Sequence, residues 1–163
     1  MAIAFIGLGS NLGDRPRNLA SAIDRLRRLP DTKVVQASGW IKTAPIGGPP
    51  QPVFLNGVVQ LETGLSPRIL FESLQQIERA MGRPHPHPRW GPRVIDLDLL
   101  AYGDLILEEP DLVIPHPRMH ERPFVLIPLA EIAPAWIHPK LGKRIQALPD
   151  RVASCESSGA PTS

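Results

Sequence analysis

One cysteine and one tyrosine stand among 163 residues, and aromatic side chains make up only 5% of the chain. A lone thiol, Cys155, cannot close a disulfide within the chain, so the fold must rest on its apolar core, and a reducing cytoplasm is the expected compartment. No apolar run approaches the length of a membrane span, so no membrane partner is expected. The opening MAIAFIGLGSNLGD has neither the basic stretch nor the long apolar segment of a leader, and reads as a first strand entering a turn. A large excess of one charge is missing too. The formal net charge is +2, so global charge gives little reason to expect nucleic acid.

Pattern supplies what composition does not. Ala2 to Leu8 is apolar enough for a central strand. Asp14 then caps a helix in which Leu19, Ala22, Ile23 and Leu26 share a face, and Pro30 ends it. Thr32 to Thr43 and Phe54 to Glu62 read as strands separated by APIGGPPQP, whose glycines and prolines mark a surface excursion. Ser66 and Pro67 start a second helix, with Leu70, Leu74, Ile77 and Met81 at helical spacing and Gly82 as its stop. After the proline-rich RPHPHPRWGP comes another strand, then a short hairpin around Glu109 and Pro110. Pro123 to Ile132 reads as a last helix that Pro128 leaves open.

The order strand, helix, strand, strand, helix, strand predicts an α+β fold: a ferredoxin-like split βαβ arrangement, an antiparallel sheet with helices on one face, plus a C-terminal appendage. Residues 1–149 form a single domain on this reading, and the polar stretch 150–163 a disordered tail.

The segment RWGPRVIDLDLL carries the chemistry. With period two, Val94, Asp96, Asp98 and Leu100 share one strand face, and Ile95, Leu97, Leu99 and Ala101 the other. Two carboxylates on one face repel each other and need water or cations as compensation. Solvated strand residues would be the ordinary explanation. Hard oxygen ligands on a rigid strand, however, suit Mg²⁺ shared with substrate phosphates, and Arg83, Arg93 and Arg122 suit phosphate oxygens. The preferred reading is a nucleotide triphosphate site.

Other candidates are weaker. GLGSNLG spaces its glycines one residue too widely for a dinucleotide loop and reads as a tight strand-to-helix turn. His85 and His87 lack a third ligand for zinc. Gln75 and Glu78 lie outside the apolar stripe of the second helix and fit an ordinary polar face. His116 fits a loop histidine or a phosphate contact.

Three blocks, GLGSNLGDR, RWGPRVIDLDLLAYG and IPHPRMHERPFVLIPLAEIAP, together resemble the 6-hydroxymethyl-7,8-dihydropterin pyrophosphokinases of the folate pathway, from about Ile3 to about Pro139. The resemblance implies transfer of pyrophosphate from ATP to the pterin hydroxymethyl oxygen, giving AMP. It implies two Mg²⁺ ions on Asp96 and Asp98, with Arg83 and Arg93 assisting displacement. It implies Phe54 and Phe124 stacking on the pterin, Asn56 reading its edge, and Thr43, Pro45 and Ile46 lending loop contacts. For ATP it implies Gln75, His116 and Arg122, with Leu99 and Leu112 beside the adenine and Glu78 in the same cleft. Trp90 would ride on a closing loop. The family pattern is broken by His85 and Asp111 at positions often basic, and by Phe54 and Pro117 where tyrosine is frequent. The expected partners are small molecules only, and the expected state is a monomer. The rival readings are a Mg²⁺-dependent nucleotide hydrolase and an RNA-binding module. The second lacks the glycine-aromatic motif of such modules, and its sheet would present carboxylates to phosphates.

Overall fold

The computed structural model describes residues 1–43, 53–82 and 94–148. Strand β1 (Ala2–Ser10) leads into helix α1 (Arg15–Arg27), then β2 (Thr32–Ala37), β3 (Ile41–Thr43), β4 (Phe54–Thr63), helix α2 (Pro67–Ala80) and β5 (Asp96–Tyr102). A small hairpin of β6 (Leu107–Glu109) and β7 (Leu112–Ile114) and helix α3 (Pro123–Ile132) follow. The main sheet has the order β2, β4, β1, β5, with β3 also paired to β4, and every pairing is antiparallel.

Local chemistry accounts for the helices. The Asp14 carboxylate accepts the Arg17 N–H at 3.2 Å, the Ser66 hydroxyl accepts the Ile69 N–H at 3.3 Å, and each helix has a proline in its first turn. The apolar faces of α1 and α2 pack on one side of the sheet. There Leu19, Leu26, Leu70 and Leu74 meet Ala4, Ile6, Leu8, Val59, Leu61, Leu97 and Leu99 in one buried cluster. Each fully buried leucine contributes about 2 kcal/mol of transfer free energy.

The other side of the sheet has its own core. Phe5, Val58, Leu100 and Ala101 are buried against Val125, Leu126 and Leu129 of α3, together with Met119 and Ile145. The two helices that link strands thus share one face, while the third covers the opposite one. Helix α3 runs through Pro128, which is itself buried. An interior proline costs about 3 kcal/mol, and burial of the three α3 side chains offsets it.

One strand departs from simple alternation. The register between β1 and β5 shifts between Phe5 and Ile6, so that Phe5 pairs with Ala101 and Ile6 with Leu99, leaving Leu100 as the extra residue of a bulge. Ala101 therefore joins Leu100 on the α3 side, against the expectation that it follows Leu97 and Leu99. Tyr102 turns to the α1/α2 side, where its hydroxyl donates to the Leu65 carbonyl at 2.7 Å. The bulge lies beyond Asp98, so the aspartates keep the face that alternation gives them.

The expected strand from Thr32 to Thr43 divides at Ser38–Trp40 into β2 and β3. The Trp40 ring lies where a Cβ on Gly57 would sit, at 2.3 Å, and the Gly39 N–H donates to Glu131 of α3 at 2.9 Å. The loop 44–52, the segment 83–93 and the tail 149–163 lie outside the described residues.

Candidate active site

Register places the polar candidates in one row across the sheet. Gly9 of β1 pairs with Asn56 of β4 on one side and with Asp96 of β5 on the other, and Asn56 pairs in turn with Ile41 of β3. In the next row Gly7 lies between Val58 and Asp98. Directly paired residues share a face, so Asn56, Asp96 and Asp98 all point to the α3 side, as Phe5, Val58 and Leu100 do. With a strand spacing of about 4.8 Å, roughly 10 Å of sheet separates the main chain of Asn56 from that of Asp96.

β1 is glycine at both intervening positions, and neighbouring side chains lie over its backbone there. A Cβ on Gly9 would lie 2.7 Å from Asn56 Oδ1 and 3.6 Å from the Phe54 ring, and one on Gly7 would touch Leu100 at 3.4 Å. These two glycines are therefore strand residues that make room for the Asn56, Phe54 and Leu100 side chains. Only Gly13, with φ of +74°, serves the tight turn that GLGSNLG was expected to make. The sequence signal was present, since Phe5, Gly7 and Gly9 keep period two, but nothing local distinguishes a glycine that makes room for other side chains from one that serves a turn.

The surrounding side chains are held in place. Asn56 is buried, and its amide nitrogen donates to the Thr43 hydroxyl at 2.5 Å. Phe54, at the start of β4, and Phe124, in the first turn of α3, are both partly buried, and the Arg122 guanidinium stands 5.6 Å from the Phe124 ring centre.

Strand β5 is the sheet edge, and its outward main-chain groups are used to place two more candidates. The Leu97 N–H donates to the Glu78 carboxylate at 2.8 Å, and the Leu100 carbonyl accepts the His116 N–H at 2.8 Å. Glu78 is only 9% exposed, so it is not part of a solvated helix face; its polarity serves an edge strand. His116 accepts the Arg118 N–H on Nδ1 at 3.2 Å, which leaves the ring proton on Nε2 as a donor. Burial, then Arg122 and Arg118, push the imidazole down to about 4, while Asp96 pulls the other way. At neutral pH His116 is an uncharged donor.

Gln75 lies three residues before Glu78 on α2 and is partly exposed. Leu99 and Leu112 are 5% and 4% exposed within the α1/α2-side core, on the opposite face from the carboxylates. Asp111, at the hairpin tip, binds Arg68 at 2.8 Å, and Glu109 binds the same guanidinium. Arg68 holds the Asp111 carboxyl below its usual range. Arg83, Arg93, Trp90, Pro45, Ile46 and His85 lie outside the described residues.

Among the described residues no group of three or more His, Cys, Asp or Glu side chains is arranged to hold a metal ion. Asp96 and Asp98, one pleat apart and partly exposed on one face, are a two-carboxylate set. That fits Mg²⁺, which takes one or two carboxylates and completes its shell with water and phosphate oxygens.

Comparison with known proteins decides the family. The model of the 7,8-dihydro-6-hydroxymethylpterin-pyrophosphokinase family matches residues 5–134. The chain belongs to this family. A 2-amino-4-hydroxy-6-hydroxymethyldihydropteridine pyrophosphokinase of Synechocystis is 47% identical over 149 residues, covering 91% of this chain and 75% of that one. The Pseudomonas aeruginosa protein of the same name is 41% identical over 155 residues, covering 95% of this chain and 93% of its own. Among solved structures, wild-type HPPK-DHPS of Plasmodium falciparum superposes with a TM-score of 0.72 at 16% identity, over 97% of this chain and 45% of that one. At that identity the likeness concerns the fold alone, and this chain spans less than half of the Plasmodium chain. The three sequence blocks fall on neighbouring elements: GLGSNLGDR on the end of β1 and the turn into α1, VIDLDLL on β5, and PHPRMHERPF on the turn that enters α3.

Proposed function

We propose that the face bounded by β5, β1, β4 and the start of α3 transfers pyrophosphate from ATP to the hydroxymethyl oxygen of 6-hydroxymethyl-7,8-dihydropterin. The products are AMP and the pterin diphosphate, in folate biosynthesis. The observation that carries this reading is the row Asn56, Gly9, Asp96. An amide able to read the edge of a flat heterocycle lies over the glycine backbone of β1, in the same row as the nearer carboxylate.

Phe54 and Phe124 flank this row and supply aromatic faces for the pterin, while Thr43 fixes the rotamer of Asn56. Pro45 and Ile46 add loop contacts. At the other end Asp96 and Asp98 would hold two Mg²⁺ ions, which would supply positive charge against the triphosphate. His116 donates through Nε2 and Arg122 offers a guanidinium to phosphate oxygens, with Gln75 and Glu78 at the β5 edge on the nucleotide side; Leu99 and Leu112, buried in the core of the opposite face, back that edge and offer the adenine main-chain groups only. Arg83 and Arg93 meet charge that builds at the β-phosphorus, and Trp90 closes over the bound substrates and excludes water. Asp96 is the nearest group to accept the alcohol proton, and a metal-bound carboxylate is a weak base for that task.

The strand order and the two strand-linking helices on one face support a ferredoxin-like split βαβ core, with α3 and the segment after it as the appendage. Residues 1–149 act as one domain in this reading, working as a cytoplasmic monomer. An assay of AMP from ATP, with and without the hydroxymethyl pterin, tests the function. Pterin-dependent AMP is expected. ADP as product, or nucleotide release without pterin, would replace this reading with a hydrolase.

A further inference from the structure

A row of rings holds the segment after α3 against the sheet. Phe5 meets Trp136 edge-on at 5.4 Å between centroids, Trp136 meets His138 at 6.0 Å, and His138 meets His120 at 5.9 Å and 75°. His138 is 2% exposed and anchors a tight turn, its N–H donating to the Lys143 carbonyl and its carbonyl accepting the Gly142 N–H. Its Nδ1 accepts the N–H groups of Lys140 and Leu141, each at 3.2 Å. The neutral ring therefore carries its proton on Nε2, and that buried donor has no hydrogen-bond partner.

His120 presents the complement. Its Nδ1 is buried and also without a partner, while its Nε2 lies 3.8 Å from the Glu121 carboxylate, which favours the proton there and leaves a lone pair on Nδ1. A buried N–H and a buried lone pair on adjoining rings are complementary, and one bridging water would satisfy both. A metal ion would not suit the pair, because His138 would have to move its proton to Nδ1, which faces two N–H donors. Burial, His120 and Lys140 also push the His138 imidazole down, which keeps it neutral.

We propose that His138 is a positioning residue that donates toward His120 through a single bridging water. It thereby fixes the turn Met119–Glu121, whose flanks carry His116 and Arg122. Through that turn the C-terminal segment sets the nucleotide end of the cleft. The inference rests on the assignment of His116 and Arg122 to ATP.

The test uses the full chain with His138→Phe, His120→Phe, the double variant and His138→Gln, whose amide keeps a donor near Nε2. His138→Phe is expected to raise the KM for ATP about threefold to tenfold, the weight of one hydrogen bond, and to leave the pterin KM within about twofold. The double variant should be no worse than either single one, and His138→Gln should recover part of the loss. Histidine ¹⁵N spectra without substrate should show His138 in the Nε2–H form and a shift of His120 Nδ1 when His138 is replaced. An unmoved His120 nitrogen overturns the link. A moved nitrogen with an unchanged ATP KM, equal losses for both substrates, or additive effects overturn the positioning role. Wild-type enzyme that makes no AMP from ATP overturns the underlying assignment, and the proposal with it.

Discussion

The carboxylate of Glu78 accepts the main-chain N–H of Leu97, 2.8 Å away, and so joins the last turn of α2 to the free edge of β5 between the two aspartates. An edge-strand N–H buried by a helix needs an acceptor, and among the described residues this carboxylate is the one it has. Glu78→Leu should therefore cost about 1 to 3 kcal/mol in urea melts, while Glu78→Gln, which keeps an acceptor oxygen, should cost less. Equal stability of the leucine variant and wild type would show that the bond contributes nothing.

Gly9→Ala puts a methyl group 2.7 Å from Asn56 Oδ1, where the amide must swing away from Thr43. The pterin KM should rise about tenfold or more, the equivalent of one lost hydrogen bond to a buried amide, and the ATP KM should change little. Steady-state kinetics on both substrates decides it. A selective loss of ATP binding would place the heterocycle elsewhere.

Asp98→Ala leaves the buried Leu97 and Leu99 side chains of β5 in place, so the variant should still fold and melt cooperatively. Turnover should fall at least about a hundredfold, because a direct metal ligand matters more than the supporting groups around it. AMP formation at saturating magnesium, alongside a thermal melt, gives both readings. Wild-type turnover in this variant would remove the carboxylates from the mechanism.

His116 gives a pH signature. Its folded imidazole is pushed down to about 4 from the ordinary 6.5, chiefly by burial, so between those values the unfolded chain binds a proton that the folded chain refuses. Stability is therefore full above about pH 7, declines as pH falls through 6.5, and this contribution is gone by about pH 4. The shift corresponds to about 3 kcal/mol. Denaturant melts at pH 7 and 4.5 should show wild type losing more than His116→Gln. Identical losses would mean the histidine does not titrate in this way. His138 is pushed in the same direction, so the variant removes part of the pH dependence and not all of it.

Much of this was legible along the chain. The Asp14 and Ser66 caps, the apolar stripes of α1 and α2 and the face shared by Asp96 and Asp98 follow from spacing and side-chain chemistry, because each depends on neighbours within a few residues. The three sequence blocks likewise carried the family. Glu78 was less legible: a polar residue beside an apolar stripe looks the same whether it meets water or an edge-strand N–H nineteen residues away.

The sequence by itself determined the order of elements, the period of β1 and β5 and the residue types available for phosphate and pterin chemistry. Only the tertiary structure decided that Gly7 and Gly9 make room for Leu100 and Asn56, that Asn56 shares a row with Asp96, and that a bulge at Leu100 moves Ala101 and Tyr102 to the faces opposite those of simple alternation. It also decided that α3 covers the face left bare by α1 and α2. The reason is physical: strand register and the choice of sheet face are fixed by contacts between segments far apart in the chain, and no local preference encodes which partner each residue will meet.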